Sequence, residues 1–420
     1  MSNHKSLSEI TSKIGSGSTP RGGSESYIKK GVSFIRSQNV QDMYFSKKGL
    51  VFLNDDQADK LKGVTVQSND IILNITGDSI ARSCIVPEEI LPARVNQHVS
   101  ILRCNNKNDS EYVSYYIQFL KPYLLQICKV GGTRNALTKD AISNLKIKFP
   151  KDRHSRAKIL TALNRKIELN SKVNTELEAM AKTLYDYWFV QFDFPNANGK
   201  PYKSSGGKMV YNEVLKREIP EGWEHCELGD HVLFKRGISY KSCELQETGH
   251  PFINLKSFRL DGKFKQNGIK FYTGKYRNEN LVPSGSLVIA ITDVTRNADI
   301  IGKAFSVPDI FDIAPLISCD VAAVYSKRFS ATYLEKLFNS DYYHRYIKHF
   351  ASGTLVLHLD LNGVKWFKTI LPPSPILEKF DLFNKDVLRQ RAITLKENKQ
   401  LIELRDWLLP MLMNGQVKIS

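Results

Sequence analysis

One helical pattern occurs twice in this chain, each time after a globular segment, and no other feature restricts the possible folds as strongly. In residues 155–188 (SRAKILTALNRKIELNSKVNTELEAMAKTLYDYW), Leu160, Leu163, Ile167, Leu177, Ala181, Leu184 and Trp188 lie three or four apart. That spacing places them on one seam of a helix, and no Gly or Pro interrupts it. Asn170 and Asn174 share the seam; an Asn there costs stability but fixes the register and partner that a coiled coil accepts. The second copy runs from Pro375 to about Leu412 and sets Phe380, Phe383, Val387, Leu401, Leu404, Leu408 and Leu412 on its seam. Asn398, Leu401 and Leu408 match Asn174, Leu177 and Leu184. Ser374 and Pro375 suit an N-cap and first turn, and Pro410 should kink or end this helix.

The globular segments repeat as well. Leu228-Gly229-Asp230 answers Leu7-Ser8-Glu9, and GHPFINLKSF from Gly249 answers GVSFIRSQNV from Gly31. SGSLVIAITDVTRNADIIGKAFSVPD from Ser284 answers SNDIILNITGDSIARSCIVPE from Ser68. SGTLVLHLDLNGVKWFKTILPP from Ser352 answers GGTRNALTKDAISNLKIKFP from Gly131. Landmarks in one order, each displaced by about 220 residues, define a tandem duplication. Short apolar runs at residues 32–40, 70–75 and 99–104 read as strands, and residues 112–129 as helix, so each unit is an α+β (mixed α/β) domain. The chain divides into globular domains at 1–154 and 225–373, long helices at 155–194 and 374–420, and a connection at 195–224. That connection (PNANGKPYKSSGGKMVYNEVLKREIPEGW) is rich in Gly, Ser, Lys and Pro and reads as exposed.

At 420 residues the chain exceeds one ordinary hydrophobic core, in keeping with two domains. The formal net charge of +17 belongs mainly to the globular halves. A surface of that sign suits a polyanion such as DNA. The six cysteines are scattered, without a CxxC pair or zinc-type spacing, and read as reduced structural thiols. No signal peptide and no apolar run of about 18 residues occurs, so a cytoplasmic protein without membrane contact is expected.

Catalytic motifs do not appear. The only Pro-Pro pair, Pro372-Pro373, follows Leu371, so it lacks the Asn or Asp that an adenine methyltransferase places there. No GxxxxGK[ST] occurs, and the GxG of Gly15 and Gly17 has Pro20 where a third glycine would stand. Asp261-Gly262-Lys263 reads as a turn, with no acid close upstream to complete a metal site. No metal ligands are assigned, and no catalytic residue.

Polar loops suit recognition instead. Arg134 and Asn135, after Thr133, can make paired hydrogen bonds to guanine and adenine edges. Thr76, Asp78, Ser79 and Arg82 in the first domain match Thr292, Asp293, Thr295, Arg296 and Asn297 in the second. Arg21, on the loop after Gly17, is a DNA backbone contact or a solvated residue. Arg36, Arg259 and Thr354 complete the candidates, with His358 either a substitute for the missing Arg and Asn of the second copy or an ordinary core or surface histidine.

Three stretches then carry a resemblance: GTRNALTKDAISNLKIKFP (132–150), LYDYWFVQFDFP (184–195) and GGKMVYNEVLKREIPEGWE (206–224). The chain resembles the specificity subunit of type I restriction-modification systems over essentially its whole length. The resemblance implies two target recognition domains, each followed by a long helix in what the family treats as central and C-terminal conserved regions. It implies helices paired as an antiparallel coiled coil, acting as a spacer on which Leu160, Leu163, Ile167, Asn174, Leu177, Leu184, Trp188, Val387, Asn398, Leu401 and Leu408 serve pairing or subunit contact. Two modification subunits and the restriction subunits are the implied partners beside double-stranded DNA. No cofactor is expected in this chain; S-adenosylmethionine, ATP and Mg belong with those partners. A helix of about 34 residues extends about 50 Å, and major grooves recur on one face of DNA every 34–36 Å, so a bipartite target with an unread gap is expected. The competing readings are a self-contained DNA methyltransferase or nuclease, and a basic coiled-coil adaptor that binds protein.

Overall fold

The duplication is visible strand by strand in a computed structural model, which describes residues 4–128 and 136–417. Two compact units form, Met1–Glu168 with Lys399–Ser420, and Leu169–Asn398.

In the first unit an antiparallel sheet has the order Thr11–Ser16, Val99–Cys104, Ile71–Asn74, Ser83–Ile85. In the second unit the order is Val232–Arg236, Val321–Ser326, Leu287–Ala290, Ala304–Ser306, again antiparallel throughout. The apolar runs at the centres of these sheets are buried on both faces, which is why they lack polar alternation. Ile71 and Leu73 pack with Tyr112, Ile117 and Leu160, whereas Ile72 packs with Ile35, Val95 and Ile101. Leu287 and Ile289 likewise join Tyr333 and Phe338, whereas Val288 and Ala290 join Ile253, Phe305 and Ile317.

A second sheet in each unit contains one parallel pair, Val32–Ile35 with Ala93–Val95 and, correspondingly, His250–Ile253 with Leu316–Ile317. Val51–Leu53 and Lys270–Tyr272 occupy the same flank. The fourth strand differs: Thr65–Val66 adds beside Ala93–Val95, but Leu245–Gln246 adds to the opposite edge. A single bridge from Leu281 to Leu316 stands in for it. The short pairs His4–Ser6 with Lys146–Lys148 and Glu224–Glu227 with Lys368–Leu371 complete the correspondence.

Two glycines share one steric duty. A Cβ on Gly17 would lie 2.0 Å from the Val95 carbonyl oxygen, and one on Gly237 would lie 2.1 Å from that of Ile317. Gly17 thus serves close backbone approach.

The first long helix spans Arg153–Tyr185 and continues as a π turn over Asp186–Val190. The second spans Ser374–Asn414. In the second unit Asn170 meets Asn398 and Asn174 meets Thr394; in the first, Asn164 meets Arg405 and Arg156 meets Leu412. Partner numbers fall as the first helix rises, so within each unit the helices pair antiparallel.

Four sequence expectations are corrected or refined. Pro410 lies inside the second helix rather than ending it. The next turn survives because Leu412 and Met413 are fully buried, and because Arg156 and Lys148 donate to the Leu412 and Asn414 carbonyls. The helix stops at Gly415, whose φ of +75° is a favoured helix terminator. At its start, the Pro373 carbonyl already accepts from the Ile376 and Leu377 amides, so the cap lies one residue before Ser374. Phe383 and Leu404 point outward, both more than 40% exposed, whereas Asn384 is buried and Arg405 half-buried on the inner seam. The inner positions therefore include polar residues that an apolar-only reading passes over. Finally, residues 195–224 are largely exposed, as expected of a connection, but they are not irregular. They fold as a hairpin of Met209–Asn212 with Arg217–Pro220, and Phe194 stacks on Tyr202 and Trp223 at 4.8 and 4.9 Å.

All six cysteines are free, and four are buried. Burial drives the Cys84 thiol up to about 12 and the Cys104 thiol up to about 11, so neither is a ready nucleophile near neutral pH.

Candidate nucleic-acid interface

The polar loops follow the central strands Ile71–Asn74 and Leu287–Ala290, and equivalent backbone bonds close them. Ala81 donates to the Asn74 carbonyl and Gly302 to the Ala290 carbonyl, each at 2.9 Å. Both residues have positive φ, 65° and 70°. The second loop is five residues longer between these closures, so the repeated frame carries loops of different reach.

At the root of each loop a threonine meets a polar residue from the start of the neighbouring strand. Thr76 Oγ1 lies 2.6 Å from His98 Nδ1, and Thr292 Oγ1 donates to Asp320 Oδ1 at 2.9 Å. The frame around the two pairs is the same: Ile75 donates to the His98 carbonyl at 3.0 Å, and Ile291 to the Asp320 carbonyl at 2.9 Å. In the first unit the Gln97 amide donates to His98 Nε2 at 3.1 Å, which leaves the ring proton on Nδ1 facing Thr76. Thr19 donates in turn to the Gln97 oxygen. In the second unit Ser239 bonds Cys319, the residue before Asp320. Burial raises the Cys319 thiol and the Asp320 charge adds to it, with Arg236 acting the other way.

Sequence reasoning missed Gln97, His98, Cys319 and Asp320. A signal was present: Asn96-Gln97-His98-Val99 and Ser318-Cys319-Asp320-Val321 are polar triplets directly before matched strands, at the displacement of the repeat.

The candidates named from sequence fall into three groups. Arg21, Asp78, Arg296, Asn297, Thr354 and His358 are exposed. His358 pairs in register with Thr292, as Ala136 bridges Thr76. Others are engaged within the fold. Asp293 is fully buried and accepts from the backbone amides of Thr295, Ile300 and Ile301 at 2.7, 2.7 and 3.1 Å. Thr292 is buried against Asp320, and Thr295 Oγ1 accepts from the Asp299 amide. Asp293 and Thr292 are therefore occupied in shaping the loop. Ser79 accepts from Asn74 at 3.0 Å, and Arg82 donates to Gln41 at 3.1 Å. Arg36 donates to the Gly49 carbonyl at 2.6 Å and lies over the Tyr27 ring, while exposed Arg259 pairs with Asp261 at 3.0 Å. Thr133, Arg134 and Asn135 lie outside the described residues. On the helices, Leu160, Asn174, Trp188, Val387 and Asn398 are buried, and Leu163, Ile167, Leu177, Leu184, Leu401 and Leu408 are half-buried.

Among the described residues no cluster of His, Cys, Asp and Glu could hold a metal ion, and no helix is long and apolar enough to cross a membrane.

Residues 3–179 match the family described as Type I restriction modification DNA specificity domain. The chain is also 25% identical over 328 residues to the Type I restriction enzyme MjaIX specificity subunit of Methanocaldococcus jannaschii, covering 74% of this chain and 70% of that relative. It is 24% identical over 345 residues to the Type I restriction enzyme HindI specificity subunit of Haemophilus influenzae, covering 68% and 72%. The crystal structure of a type I restriction-modification S subunit from M. genitalium shares the fold, with a TM-score of 0.56 at 14% identity over 99% of this chain and 96% of that one. The leading segment is thus of the DNA specificity class. The chain as a whole is similar to specificity subunits of type I restriction-modification systems.

Proposed function

We propose that this chain targets a type I complex to a bipartite DNA sequence, one half-site for each of the domains at 1–154 and 225–373. It performs no chemistry itself. The long helices at 155–194 and 374–420 offer the contacts for two adenine-methylating modification subunits, and restriction subunits join them in the cytoplasm. S-adenosylmethionine, ATP and Mg act in those partners. One observation carries the bipartite reading: two units whose main sheets share one strand order set different residues, His98 in one and Asp320 in the other, against an equivalent threonine, Thr76 or Thr292. A frame repeated with altered chemistry suits two different half-sites.

The test is methylome sequencing of a host that expresses this chain with its modification subunit, beside the same host lacking this chain. Adenine methylation in both halves of a split motif, present only with this chain, is expected. A continuous motif, or methylation by the purified chain alone, contradicts the reading. Binding to DNA should also weaken steeply with salt through the release of phosphate counterions, whereas an adaptor for proteins would bind without DNA preference.

A further inference from the structure

Positions 97–98 and 319–320 are the same place in the two units, and their rigidity suits a reading head. Their preceding residues are pinned, Asn96 to the Ile35 carbonyl at 3.0 Å and Ser318 to the Ile253 carbonyl at 2.9 Å. Gly17 and Gly237 press against the same turns, with no room for a Cβ. Buried strands Val99–Cys104 and Val321–Ser326 begin immediately afterwards. The backbone is therefore held equally in both units while the side chains differ, and Gln97 and His98 are exposed and Asp320 half-buried. Resting on the bipartite reading above, we infer that Gln97 reads adenine in one half-site and that Asp320 reads cytosine in the other.

The chemistry selects these bases. Gln97 donates one amide hydrogen to His98 and accepts from Thr19. Its amide keeps a second hydrogen and a second lone pair, the donor and acceptor that pair with adenine N7 and N6. His98, bonded to Thr76, holds the amide in orientation. Asp320 accepts from Thr292 at Oδ1 and approaches the Ser318 hydroxyl at 3.4 Å through Oδ2. An ionised carboxylate only accepts and is repelled by phosphate, so toward DNA its remaining lone pairs suit a base amino group, and cytosine N4 is the usual partner. Asp293 is no rival, because three backbone amides already occupy its carboxylate.

The experiment compares the methylation motifs of full complexes carrying wild-type chain, Gln97→Glu or Asp320→Asn. Both substitutions preserve shape, and in each variant the untouched half-site reports that the chain is folded. Gln97→Glu should lose its adenine preference at one position of one half, and Asp320→Asn its cytosine preference at one position of the other. Methylation of original sites should fall on the order of 10- to 100-fold in each case. Wild-type motifs retained by both variants, or equal loss in both halves, overturn the assignment. A wild-type complex that yields no split motif overturns the bipartite reading itself, which separates the two failures.

Discussion

The side-chain amide of Asn170 donates to Oδ1 of Asn398 at 3.0 Å, and both side chains are at least 94% buried on the helical seam of the second unit. The same amide reaches Glu397 Oε2 at 2.8 Å, and one turn away Thr394 donates to Asn174 at 2.6 Å. A polar pair there disfavours any slip that would set it against leucine. Asn170→Leu should lower stability by about 1–3 kcal/mol, because it strips a donor from buried acceptors. The double variant Asn170→Leu/Asn398→Leu should recover part of that loss, since replacing both partners removes the mismatch. Denaturant unfolding of the four members of this cycle measures the coupling; strictly additive losses contradict it.

Gly15 and Gly17 look alike in sequence but differ in surroundings. A Cβ on Gly17 collides with a backbone carbonyl at 2.0 Å, whereas none of the surroundings lies within 4 Å of one on Gly15. Gly17→Ala should cost about 3 kcal/mol or more, as backbone on both sides must move. Gly15→Ala should be neutral or stabilising by up to about 1 kcal/mol through the unfolded chain. Thermal unfolding of the two variants separates them, and equal shifts would remove the steric explanation.

Glu335 carries a prediction about pH. Burial alone raises its carboxyl, but the charges on Lys336 and Arg391 and the Ser306 amide outweigh this and hold it below the ordinary 4.5. A carboxyl depressed in the folded state stabilises above its unfolded value, and that stabilisation is lost as pH falls through the folded value. Unfolding midpoints should therefore drop below pH 4.5, and the drop should be smaller in Glu335→Gln. A variant with an unchanged or steeper acid dependence contradicts the prediction.

What the sequence made legible was whatever depends on local period and repetition. Leu160, Ala181 and Trp188 read as a helix seam and are buried, and Ile71 to Leu73 read as a strand and are one. The landmarks at Gly31 and Gly249 lie in matching places beside the parallel pairs. Tertiary facts were not legible. Asn384 and Arg405 take inner positions because Asn384 donates to the Phe380 carbonyl of its own helix and Arg405 to Asn164 across the pair, which no hydropathy pattern reports. Residues 195–224 looked like a linker by composition, yet four aromatics, Phe192, Phe194, Tyr202 and Trp223, suffice to anchor them. That Asp293, named from sequence only as a polar loop candidate, is held by three backbone amides was not legible, because those donors follow it in a loop whose closure only the fold reveals.

Asp293 and Arg296 stand three residues apart in that loop and should respond to mutation in opposite ways. Asp293 is fully buried, and its removal leaves the Thr295, Ile300 and Ile301 amides without their acceptor. Asp293→Ala should therefore destabilise the protein by about 3 kcal/mol and lower its thermal midpoint. Arg296 is exposed, and Arg296→Ala should change stability by no more than about 0.5 kcal/mol. Its effect should fall on DNA binding. If its guanidinium meets a phosphate, the slope of log affinity against log salt should shrink by about 1, with equal weakening on every sequence. Titrations at four salt concentrations measure that slope, and one unchanged from wild type removes Arg296 from the phosphate contacts, whatever happens to affinity at a single salt.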